Sequence, residues 1–73
     1  MDIKNYYEIL AKNIKIERVK ENITQQELAN RAGLSRDTIS QIERGIANPT
    51  LETIILIANA LNVDLNKLIP LNN

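Results

Sequence analysis

Residues 24–45 read TQQELANRAGLSRDTISQIERG. Thr24-Gln25-Gln26-Glu27 is a capping box: the Thr24 hydroxyl can accept from the Glu27 amide while the Glu27 side chain reaches back to the amide of Thr24. A helix therefore opens there and carries Leu28, Ala29 and Ala32 on its inner side. Gly33 supplies the left-handed residue that turns the chain. Ser35 caps a second helix running from Arg36 to about Arg44 and stopped at Gly45. On that second helix Ile39 and Ile42 form the apolar side, and Asp37, Ser40, Gln41 and Arg44 lie opposite, with Arg36 on the flank. Two short helices joined by a tight turn, with small Ala29 where they cross, leave the polar face of the second one turned outward.

The flanking sequence is also helical. From about Asn5 to Glu21, Tyr7, Leu10, Ile14 and Arg18 follow helical spacing along one face, and Asn22 is a helix stop. After Pro49, Thr50 opens a further helix to about Leu61 with Leu51, Ile54, Ala58 and Leu61 sharing a face. Asp64 caps a short last helix carrying Leu65, Leu68 and Ile69, ended by Pro70. No strand signal or internal repeat appears. The expected fold is all-α: a five-helix domain spanning residues 1–73, with its helix-turn-helix formed by the second and third helices.

Composition removes many functions. The 73 residues contain no cysteine and no histidine, which excludes thiolate metal sites and disulfides and removes the commonest general base. No phosphate loop, metal spacing or nucleophile–base pair is visible, so an enzyme is not expected, and no cofactor or metal is implied. No run approaches a membrane span, and the N-terminal sequence lacks a signal-peptide pattern, so a cytoplasmic, nucleoid-associated protein is expected. Net charge is zero, and eight of the nine Lys and Arg residues lie within 1–45 against seven acids. Charge alone does not point to nucleic acid.

The run ITQQELANRAGLSRDTISQIERGIANPTLETIILIANALNVDL resembles the phage-repressor, Xre-type (lambda-repressor-like) helix-turn-helix family. TQQELA, AGLS, ISQIERG, NPTLETI and IANAL carry the resemblance, which covers about residues 10–69. It implies a regulator of transcription that binds double-stranded operator DNA as a homodimer on paired half-sites. A prophage repressor, a restriction-modification controller and an antitoxin-like autorepressor all fit.

The resemblance also implies residue roles. Arg36, Asp37, Ser40 and Gln41 occupy base-facing positions, and their chemistry suits base edges. Gln25 takes the place of a phosphate anchor at a helix N-terminus. Thr24, Ser35, Arg44, Asn48 and Thr50 are the remaining phosphate candidates. Arg18 and Glu43 take the place of a structural ion pair between the first and third helices.

Two features depart from the family pattern. Glu17 stands where an apolar residue is usual, while Ile16 and Val19 are apolar. Either the first helix is locally re-phased, or Ile9, Ile16 and Val19 form a second stripe. In the fourth helix Leu56 lies opposite the core side, and with Ile55 and Asn59 it is a candidate twofold dimer contact. This extra apolar surface, with the neutral charge, supports the alternative of a protein-interaction module that reuses the fold and holds a protein partner.

Overall fold

The computed structural model describes residues 2–70, which form five helices: α1 (Ile3–Lys20), α2 (Gln25–Ala32), α3 (Arg36–Glu43), α4 (Leu51–Leu61) and α5 (Leu65–Leu68). No strand occurs among the described residues.

The C-terminal ends of α1 to α4 follow one rule. Asn22, Gly33, Gly45 and Asn62 adopt left-handed φ values of 58°, 73°, 74° and 56°. Each is followed by an apolar residue whose amide reaches back five residues: Ile23 to Arg18, Leu34 to Ala29, Ile46 to Gln41 and Val63 to Ala58. These are Schellman endings, which satisfy helix carbonyls and reverse the chain in two residues. The starts of α2, α3 and α4 are equally regular. The hydroxyls of Thr24, Ser35 and Thr50 accept from the amides of Glu27, Thr38 and Thr53 at 3.0, 3.0 and 3.2 Å. Asp64 takes the N-cap position of α5 in extended backbone, but its side chain makes no capping bond, contrary to the sequence expectation.

The core is aliphatic. Leu10 and Ile14 of α1, Leu28, Ala29 and Ala32 of α2, Ile39 and Ile42 of α3, Leu68 of α5, and a four-residue face of α4 form one buried cluster, closed by Ile23. The α4 face is Ile54, Ile57, Ala58 and Leu61. Leu51, expected on that face, is instead 62% exposed. It is the first residue of α4, one turn before the core begins, and it lines an apolar groove with Ile3, Tyr6, Tyr7 and Pro49. Ile57, which the sequence reading omitted, is fully buried.

Helix α1 is regular, and the choice between re-phasing and a second stripe is resolved. Leu10, Ala11 and Ile14 face inward, while Ile16 and Val19 lie exposed on the opposite side and Ile9 is half-buried. The helix begins two residues earlier than expected. It is tied to the C-terminal end by Asn13, whose Nδ2 donates to the Leu68 carbonyl at 3.0 Å.

Candidate nucleic-acid interface

Helix α3 packs against α1 and α2 through Ile39 and Ile42, both buried. That packing turns the other side of the helix outward. Arg36, Asp37 and Gln41 are exposed and Ser40 is half-buried. The four residues named from sequence as base-facing therefore share one outer surface of one helix. Within it, Gln41 Nε2 donates to Asp37 Oδ2 at 2.9 Å across one helical turn. The only sequence signal for this bond is the four-residue spacing of a carboxylate and an amide on one helix.

The orientation of α3 is held by a charged cluster at its C-terminal end. Arg18 of α1 grips the Glu43 carboxylate with two parallel bonds, Nε to Oε2 at 2.7 Å and Nη2 to Oε1 at 3.1 Å. Its Nη1 donates to the Ile23 carbonyl at 2.9 Å in the α1–α2 turn. The Glu43 side chain is only 3% exposed and that of Arg18 13%, so the pair is nearly dry. Hydrogen bonding to Glu43 holds the guanidinium pKa above its ordinary range, against the opposing effect of burial. A planar fork on a carboxylate fixes angle as well as distance. Glu43 Oε1 also accepts from Gln25 Nε2 at 3.2 Å. One carboxylate thus ties together α1, the start of α2 and the end of α3. No sequence pattern reveals the Gln25 link, because the two residues are 18 positions apart and meet only through the tertiary turn.

The remaining polar candidates are distributed around this surface. Thr24 and Ser35 are exposed N-caps, and Gln25 is half-buried, with one of its two amide N–H groups engaged by Glu43. Ser35 and Thr38 share a hydroxyl–hydroxyl bond of 2.8 Å. Thr50 directs its hydroxyl hydrogen to Thr53 Oγ1 at 3.0 Å, so its oxygen is occupied within the cap of α4. Arg44 and Asn48 lie together on a groove with Lys4, Tyr7 and Glu8 of α1. At the start of α2, Glu27 Oε1 accepts from the Thr24 amide at 2.9 Å, and that bond lowers the Glu27 pKa below its ordinary range.

On α4, Ile55 and Leu56 are 42% and 37% exposed, and Asn59 is exposed as well. Among the described residues no cluster of His, Cys, Asp or Glu is placed to hold a metal ion, and no helix is long and apolar enough to cross a membrane.

Residues 14–68 match the family model described as helix-turn-helix. The chain is 45% identical over 69 residues to Control protein C.SmaI from Serratia marcescens, spanning 94% of this chain and 79% of that protein. The chain belongs to this helix-turn-helix family of transcriptional regulators. The regulator is also 35% identical over 60 residues to the immunity repressor protein of Bacillus phage phi105, covering 82% of this chain and 42% of that one. Its fold superposes on the restriction-modification controller protein C.AhdI from Aeromonas hydrophila with a TM-score of 0.86. That match has 26% identity and covers 93% of this chain and 99% of the other. It runs nearly end to end, so all five helices of the regulator, and not only α2 and α3, follow the architecture of a controller protein.

Proposed function

We propose that this regulator binds operator DNA as a homodimer, with α3 in the major groove of each half-site, and controls transcription of a restriction-modification operon. The observation that carries the reading is the outer face of α3: Arg36, Asp37, Ser40 and Gln41 share it, turned away from the buried Ile39 and Ile42. Arg36 suits guanine, which offers two acceptors, and Gln41 suits adenine, which offers a donor and an acceptor. Thr24, Gln25 and Ser35 cluster at two helix N-termini, where partial positive charge favours phosphate oxygens. Arg44 and Asn48 extend the same role past the end of α3, and Thr50 would contribute through its position at the start of α4. The controller subtype rests on the similarity to C.SmaI and C.AhdI.

The size of the recognition element argues for two copies. Helix α3 has eight residues, so it is roughly 12 Å long and spans only about four base steps. Such a site recurs too often to define an operator, and doubling it by twofold symmetry gives a longer inverted repeat. Ile55, Leu56 and Asn59 are the proposed dimer contact.

Selection of bound sites from random duplex DNA, read by sequencing at moderate salt, tests the proposal. An inverted repeat with half-sites about one turn apart, ~34 Å, is the expected result. A folded protein that enriches no sequence would overturn it.

A further inference from the structure

We infer that Asp37 is a specificity-determining positioning residue: by holding the Gln41 amide it restricts that side chain to an adenine and rejects guanine. This rests on the reading in which α3 lies in the major groove. The carrying observation is the 2.9 Å bond from Gln41 Nε2 to Asp37 Oδ2, between two exposed residues on the proposed reading face.

A glutamine amide offers two N–H donors and a carbonyl oxygen. Unrestrained, it can turn its NH2 group toward the two acceptors of guanine, N7 and O6, or align its N–H and C=O with N7 and N6–H of adenine. In this structure one amide hydrogen is engaged by Asp37. One N–H and the carbonyl oxygen remain, the donor–acceptor pair that complements adenine. Turning the NH2 group onto guanine would break the bond to Asp37. The carboxylate adds a second bias, because its charge opposes the acceptor-only edge of guanine and favours the amino group of adenine. It also fixes the side chain before DNA arrives, so less rotamer freedom is lost on binding.

Three roles for Asp37 predict different outcomes. Acting alone as an acceptor from cytosine N4, it would govern a different base position from Gln41. Serving only to complement the dipole of α3, it would affect stability and no base position. Acting through Gln41, it governs the same position and has no effect once Gln41 is gone.

The experiment is site selection from random duplex DNA with the full chain and with D37A, D37N, Q41A and D37A/Q41A, each checked for folding by circular dichroism. The expected result is a column of the half-site with adenine preferred over guanine. That preference falls roughly fivefold or more in Q41A and shifts toward guanine in D37A. D37N keeps an acceptor for the amide and retains most of the preference. D37A/Q41A matches Q41A at that column, the non-additivity expected of residues acting as one unit. A folded D37A with the preference intact overturns the inference, as does an Asp37 effect at a different column or one that persists without Gln41. If the unaltered chain enriches no sequence, the DNA reading itself has failed.

Discussion

At Glu43 a single carboxylate serves three elements, and it is 3% exposed. Removing Arg18 leaves that charge buried with only the Gln25 amide beside it. Breaking a buried pair from one side typically costs about 3–5 kcal/mol, whereas replacing both partners by apolar groups of similar volume is often neutral or better. R18M is therefore predicted to lower unfolding free energy in urea by roughly that amount, and R18M/E43M to recover most of it. A single-variant loss below about 1 kcal/mol would show that solvent reaches Glu43 and that the pair behaves as a surface one. The double variant would still lose DNA affinity, because Gln25 and the C-terminal end of α3 are then no longer held by a common group.

Glu27 gives the residue scale a pH signature. Its pKa is lowered first by the hydrogen bond from the Thr24 amide and then by the Thr24 hydroxyl. A carboxylate with a lowered folded-state pKa contributes stability that is complete above its unfolded value, about 4.3, and is lost as pH falls through the lower folded value. E27Q keeps an oxygen for the Thr24 amide but removes the titration. The stability difference between the protein and E27Q, read from urea midpoints, should shrink from pH 7 to pH 3. A difference independent of pH would mean that the ionised form has no advantage in the capping box.

At the scale of elements, α4 presents opposite faces to two environments. Ile54, Ile57, Ala58 and Leu61 are buried, while Ile55 and Leu56 are about 40% exposed. L56K places a charge in the proposed twofold contact without touching the core face. It is predicted to sediment as a monomer with unchanged helicity and to bind a full operator more weakly, while a single half-site is bound as before. An unchanged dimer would remove α4 from the interface. The elements themselves were largely legible in sequence. Threonine or serine before a helix and glycine or asparagine followed by an apolar residue after it are local signals, and they bound α2, α3 and α4. What escaped was tertiary. Leu51 fits the helical period of α4 but lies beyond the reach of the core, and Asp64 has the chemistry of a cap without making the bond. The outer face of α3 followed from period alone, whereas the Gln25–Glu43 contact depends on how α2 and α3 cross, which no local pattern encodes.

For the whole molecule, the decisive quantity is charge. Net charge is zero, and among the described residues three of the cations are already paired within the chain: Arg18 with Glu43, Lys20 with Glu17 and Arg31 with Glu21. Affinity for DNA falls with salt in proportion to the number of phosphates neutralised by cations, with a log–log slope of about −0.9 for each. Phosphate contacts made by Thr24, Gln25, Ser35 and helix N-termini fix register but displace few counterions. If each copy contributes one cationic phosphate contact, through Arg44, a dimer has a slope near −2. Titrating the selected operator between about 50 and 200 mM salt measures this directly. A slope steeper than about −8 would require lysines of α1 such as Lys12 and Lys15 at the phosphates, and the DNA would then have to lie against the back of α1 as well as against α3. A shallow slope has a consequence for discrimination. Non-specific binding, which is nearly all counterion release, is weak for such a protein, so a larger share of operator affinity must come from the base-facing residues of α3. A ratio of operator to random-sequence affinity that holds as salt rises is the matching result. A ratio that collapses with salt would place the discrimination in the backbone contacts rather than in Arg36 and Gln41.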